Sequence, residues 1–171
     1  MLKNLFCICV VAMLVPQMAS AAVVRFDVAL DSSTNGTGSP GMGSATAFLN
    51  DLTGQFDVTG TFSGLNGNAT NLHLHGLTAT PGTGNAGVLV GGFTFDSGVQ
   101  SGTFSQSTVI ADPADVAGVI AGRSYLNLHS STNTGGEIRG YLLNPTAVPE
   151  PATCGLLCLF AAGAAMQRRR R

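Results

Sequence analysis

Apolar and polar residues alternate along Val23-Val24-Arg25-Phe26-Asp27-Val28-Ala29-Leu30, with Val24, Phe26, Val28 and Leu30 on one side. A period of two places those four on one face of an extended chain, so the segment predicts a half-buried β-strand. The loop SSTNGTGSPGMG follows. Its glycines, prolines and small polar residues favour turns over either regular structure. SATAFLN and GQFDVTGTFSGL then predict two strands around a turn at Asn50 to Gly54, with Phe56, Val58 and Phe62 facing inward. NATNLHLHG predicts another strand, LTATPGTGNAG a loop, and VLVGGFTF and GTFSQSTVI two more strands. ADPADVAGVIAG predicts a short helix, capped by Asp112 and opened by Pro113; aspartate accepts from a free N-terminal N–H, and proline has none to lose. RSYLNLHSSTNTGGEIRGYLL predicts a hairpin that turns between Asn133 and Gly136.

About eight short strands punctuated by turns predict an all-β fold, an antiparallel Greek-key-like β-sandwich, with a small barrel as the alternative. A weak internal echo joins "TNLHLHG…TGNAGVLVGGF" to "YLNLHS…TGGEIRGYLL". Each has a strand ending near a histidine, a glycine-rich turn and a returning strand. Two such hairpins suit a pseudo-symmetric arrangement.

Both ends of the chain depart from this pattern. Lys3, then the apolar run Leu5 to Val15, then Ala19-Ser20-Ala21 have the three parts of a secretory signal. Residues 1–21 are therefore expected to be removed by signal peptidase. At the other end, Val148-Pro149-Glu150-Pro151 precedes an uncharged run, Ala152 to Met166, and the cluster Arg168, Arg169, Arg170 and Arg171. Fifteen helical residues span roughly 22 Å, somewhat short of a ~30 Å hydrocarbon core. Arginines at the end of such a transmembrane-type helix stay on the cytoplasmic side. The expected division is a signal at 1–21, one domain at 22–147 and a tail at 148–171, with the domain exported and only transiently associated with the membrane.

Composition narrows the function of the central domain. All four cysteines, Cys7, Cys9, Cys154 and Cys158, lie in the two apolar ends. The domain has no disulfide to lean on, although its compartment would permit one. It carries three arginines, Arg25, Arg123 and Arg139, against eight carboxylates and no lysine, a net charge of −5. Nucleic acid is excluded as a partner, because phosphate binding needs a basic patch. Gly36-Thr37-Gly38-Ser39-Pro40-Gly41 spells a phosphate-loop pattern, but a strand follows it where a helix N-terminus is required. There is no serine-nucleophile elbow and no cysteine nucleophile in the domain, so no catalytic residue and no enzymatic activity are expected.

His73, His75 and His129 are the only histidines. On extended strands His73 and His75 share one face, Tyr125, Asn127 and His129 another, and Glu137, Arg139 and Tyr141 a third. If the strands are neighbours these faces form one polar cluster. Two readings follow. One is a copper or zinc site on the three imidazoles, with Glu137 as an added ligand. The other is a hydrogen-bonded network of Asn127, Glu137 and Arg139, with Glu137 paired to Arg139 or His129, that orients loops. His-x-His and Gly84-Asn85-Ala86-Gly87 are similar to features of copper/zinc superoxide dismutase, but that chemistry needs more histidines and a disulfide.

Two resemblances now attach to particular residues. Pro149-Glu150-Pro151, the apolar run and the arginine cluster resemble the PEP-CTERM sorting signal of Gram-negative bacteria. That resemblance implies recognition by an exosortase-like membrane protease, removal of the tail, and a cell-surface or extracellular-matrix destination among polysaccharide or matrix-protein partners. Leu72-His73-Leu74-His75-Gly76, Gly87-Val88-Leu89-Val90, Tyr125-Leu126-Asn127-Leu128-His129 and Gly135-Gly136-Glu137-Ile138-Arg139-Gly140 resemble, in that order, the CHRD domain, named for chordin. The resemblance spans nearly all of residues 24 to 143 and implies a secreted fold with no assigned reaction. The family often carries a glutamate and paired prolines after its first strand, where this chain has Asn35 to Pro40.

Overall fold

The structure, a computed structural model, describes residues 22–149. The signal segment, Glu150 and Pro151 of the sorting motif, the expected apolar helix and Arg168 to Arg171 lie outside the described residues. Among the described residues no helix is long and apolar enough to cross a membrane.

Alternation becomes structure in the first half of the chain. Strand β1 (Val23–Asp31), β2 (Met42–Asn50) and β3 (Gln55–Ser63) form a continuous antiparallel meander. Phe26, Val28 and Leu30 are buried, as are Ala45, Ala47 and Leu49, and Phe56, Val58 and Phe62. Each large apolar side chain placed inside stabilises by about 1.5–3 kcal/mol relative to exposure, and this inward face supplies what no disulfide provides. The remaining strands are β4 (Ala69–Gly76), β5 (Val88–Val90), β6 (Thr94–Phe95), β7 (Gly102–Val109), β8 (Ser124–Ser130), β9 (Ile138–Tyr141) and β10 (Thr146–Val148).

The strands join in one hydrogen-bonded sheet, in the order β5-β4-β8-β9-β1-β2-β3-β7-β6, with β10 added to β1. The expected sandwich of about eight strands is thus a ten-stranded sheet that curls around one core. The two ends of the curl meet where Ala69 N donates to Val99 O (2.8 Å) and Gly98 N donates to Ala69 O (2.9 Å). Leu72 and Leu74 of β4, Leu126 and Leu128 of β8, and Phe104 of β7 fill the space between.

One segment divides where a single strand was expected. VLVGGFTF breaks at Gly91-Gly92 into β5, which pairs with β4, and β6, which pairs with β7 at the far end of the sheet order. Gly92 has φ +71°, which β-branched neighbours could not adopt, so the chain leaves one end of the sheet and joins the other there. Strand β10 was not evident from alternation because it has only three residues. The helix α1 (Pro113–Ile120) forms as its start signals predict: the Asp112 carboxylate accepts from Ala114 N at 2.8 Å, and Val116 and Val119 turn into the core.

The two hairpins of the internal echo lie side by side. Strands β4 and β8 pair antiparallel, with His73 opposite Asn127, His75 opposite Tyr125 and Asn71 opposite His129. Strand β9 continues the ladder, setting Arg139 opposite Asn127 and Tyr141 opposite Tyr125. The leucines of β4 and β8 point to the core, so period-two alternation sends every one of these polar side chains to the outer face.

Candidate metal centre and its polar face

The three histidines converge. One ligand nitrogen from each of His73, His75 and His129 lies within 4.8 Å of the others. Ring centroids are 5.7 Å apart for His73 and His75, 5.3 Å for His73 and His129, and 6.1 Å for His75 and His129. Three nitrogens on one tetrahedral zinc ion stand roughly 3.3 Å apart, given bonds of ~2.0–2.1 Å.

Hydrogen bonds fix which nitrogen carries the proton. His75 Nδ1 is 2.9 Å from Ala86 O, and His129 Nδ1 is 2.8 Å from Thr134 O. A carbonyl oxygen only accepts, so both Nδ1 atoms carry the proton and both Nε2 atoms present a lone pair. This is the arrangement metal-bound imidazoles use, with the far nitrogen donating to a carbonyl to orient the ring. His75 Nε2 and His73 Nδ1 are buried and have no hydrogen-bond partner among the described residues. His129 Nε2 accepts from Asn127 Nδ2 at 3.2 Å, a bond that a metal ion would displace; Asn127 Nδ2 also donates to Gly135 O at 3.1 Å.

Electrostatics favour the neutral, ligating form. Burial pushes His73 down from the ordinary imidazole range, and the neighbouring His129 and His75 push the same way. Burial likewise lowers His75, against the bond to Ala86 O, with His129 and the Arg139 guanidinium adding to the fall. Metal binding requires deprotonated nitrogen, so these rings need not lose a proton at neutral pH.

A ring of aromatic and amide groups holds the cluster. His75 stacks on Tyr125 at 5.0 Å with an interplanar angle of 11°. Arg139, from the strand on the other side of β8, lies 4.0 Å from the centroid of the same ring. The Gly84–Gly87 loop covers the group: Gly84 O accepts from Tyr141 Oη at 2.6 Å, Asn85 Oδ1 accepts from Arg139 Nη1 at 2.8 Å, and Ala86 N donates to Tyr125 Oη at 3.2 Å. The sequence placed Tyr125 on the face of Asn127 and His129 and marked Gly84-Asn85-Ala86-Gly87 as a motif, but it did not show that this loop covers the histidines.

Glu137 goes elsewhere. It precedes β9, and its side chain is fully buried on the core side, away from the histidines. Its Oε1 accepts from Ser39 Oγ and Asn66 N, each at 2.5 Å, while Oε2 accepts from Ser130 Oγ and from Gly67 N at 3.4 Å. Among the described residues it forms no ion pair with Arg139 or His129; Arg25 and Asp27, 2.7 Å apart, make the one ion pair there. The loop Asn35 to Pro40 lies against it, with Thr37 Oγ1 donating to the Glu137 carbonyl at 3.0 Å. Of the expected polar cluster, Asn127 and Arg139 therefore meet, through Arg139 Nε and Asn127 Oδ1 at 3.4 Å, and Glu137 anchors two loops instead.

Fold and site together define a cysteine-free antiparallel β domain with a histidine-bearing outer face. The CHRD domain family model matches residues 26–142, and the chain belongs to that family. The PEP-CTERM protein-sorting motif matches residues 147–171. That motif implies an exported protein, directed to the envelope or surface of a Gram-negative bacterium through an exosortase-type system. No curated protein and no solved structure matches the chain.

Proposed function

We propose that this exported protein is a non-enzymatic component of the cell surface or extracellular matrix, and that its CHRD domain holds one copper or zinc ion on His73, His75 and His129. The observation that carries the metal reading is the convergence of three ring nitrogens within 4.8 Å, two of them lone pairs pre-set by carbonyl-bound Nδ1 atoms. Imidazole donors suit copper and zinc among the divalent ions. Three protein ligands leave a fourth position for water or a matrix group. The histidines would bind and orient the ion, and the Tyr125 stack would keep the His75 ring in place. Glu137 has no part in this set. The sorting tail is removed by the exosortase-type protease, which leaves the domain at its destination.

Metal analysis of the full chain tests the reading. We expect about one copper or zinc ion per chain after exposure to either metal and gel filtration. His75→Ala and His129→Asn should each lose it while keeping the β-rich circular dichroism. A wild-type chain that retains neither metal, or folded variants that retain it fully, would remove this function.

A further inference from the structure

Beside the histidines lies a second, different site. Arg139 is only 8% exposed, and no carboxylate pairs with it among the described residues. A buried guanidinium without a counter-charge is costly, so its partner is informative. Nη1 donates to Asn85 Oδ1 at 2.8 Å and to Gly84 O at 3.4 Å, and Nε to Asn127 Oδ1 at 3.4 Å. Nη2 has no protein partner among the described residues, yet it is not sealed from solvent. It borders a cleft of about 320 Å³, whose walls include Thr34, Asn35, Thr37, Asn85 and Asn133. That is at the small end of ligand-binding cavities. The Asn35 Oδ1 atom is a buried acceptor with no donor among the described residues. The wall thus offers the positively charged Nη2 donor of Arg139, no acid, and several amide and hydroxyl groups.

We propose that this cleft binds a carboxylate-bearing polyol, a sugar acid of the uronate class. The N–H groups of Nη2 donate charge-assisted hydrogen bonds to a carboxylate. The amides and threonines match ring hydroxyls, and a hydroxyl donating to Asn35 Oδ1 satisfies the orphaned acceptor. A phosphate would call for several cations or a helix N-terminus, and the cleft walls supply one arginine. The loop Asn35 to Pro40, where this chain differs from the usual CHRD pattern, forms part of the wall, so the specificity belongs to this chain. The proposal does not rest on the metal reading.

Calorimetric titration of the full chain in the presence of a chelator tests it, with sodium glucuronate, glucose and inorganic phosphate as separate probes. Glucuronate should bind at least tenfold more tightly than glucose or phosphate. Arg139→Lys keeps the charge but loses the Nη2 donors that the bonds from Nε and Nη1 aim at the cleft, and should weaken glucuronate at least tenfold. Because Arg139 also packs on Tyr125, Asn35→Ala provides a milder check and should weaken binding about three- to tenfold in a fully folded chain. An oligouronide that binds tenfold better than the monomer would assign the cleft to an acidic polymer; equal affinity would assign it to a single sugar acid. Equal binding of glucose and glucuronate, tighter binding of phosphate, or unchanged affinity in folded Asn35→Ala would each overturn the proposal.

Discussion

Glu137 shows how one residue can be misplaced by a correct pattern. Residues 137, 139 and 141 alternate, so the sequence places them on one face. But β9 begins at Ile138, and the backbone N–H of Glu137 donates to Leu128 O at 2.7 Å while Ile138 already pairs with Leu128. The ladder ends there, and alternation no longer governs the side chain. Its carboxylate is then an acceptor for four donors, two of them backbone N–H groups that cannot rotate away. Burial pushes it up, but the bonds from Ser130, Ser39 and Asn66 outweigh burial and hold it below the ordinary carboxylate range. Glu137→Gln would set an amide donor against one of those N–H groups, and should cost about 2–4 kcal/mol in urea unfolding. The sign for acid follows from the lowered native value. The contribution is complete above the unfolded carboxylate range and is lost as pH falls through it toward the native value. Stability of the wild-type chain should therefore fall over that acid window, and the Gln variant should show a flatter profile in the same titration.

At the scale of elements, strand existence was legible and strand pairing was not. Phe26, Val28 and Leu30, or Phe56, Val58 and Phe62, announce their strands by period two. Nothing local tells VLVGGFTF that its halves pair with opposite ends of a sheet; only the curl, which brings the start of β4 against Gly98 and Val99, makes that division possible. Gly60 of β3 records the same tertiary demand. It pairs with Phe104, and a Cβ built there would stand 2.3 Å from Phe104 Cζ and 2.5 Å from Ser44 O. The ring lies where a side chain would be, and the backbone oxygen cannot retreat. Gly60→Ala should lower stability by about 1–3 kcal/mol, read as a reduced midpoint in thermal or urea unfolding. Substituting the neighbouring exposed Thr59 by alanine should change it by less than about 0.5 kcal/mol.

For the whole molecule, the sheet brings the two ends of the domain together. Val23 pairs with Val148, so the residues next to the signal segment and next to the sorting motif leave the domain from adjacent strands. Strand β10 ends at Val148, one residue before the Pro149-Glu150-Pro151 motif, so processing beyond the motif leaves every strand intact. Mass spectrometry of protein from the producing cells should find a mature chain that begins near Ala22 and lacks Arg168 to Arg171. Glu150→Ala should leave the arginine cluster attached and the protein in the membrane fraction. A wild-type chain that keeps its tail would show instead that the tail is a permanent anchor.

The sequence by itself determined the all-β class, the sorting motif at the C-terminal end, the lack of cysteine in the β domain and the polar identity of two strand faces. Each is a local property, carried by period-two alternation, by apolar runs with charged ends, or by composition. Only the tertiary structure decided that His129 stands beside His73 and His75, that Arg139 faces an open cleft and that Glu137 turns inward. The histidine cluster depends on register between β4 and β8, strands about fifty residues apart in the chain. A shift of one residue in that register would send the histidines to the other face, and it is set by burying Leu72 and Leu74 against Leu126 and Leu128 across the whole curled sheet.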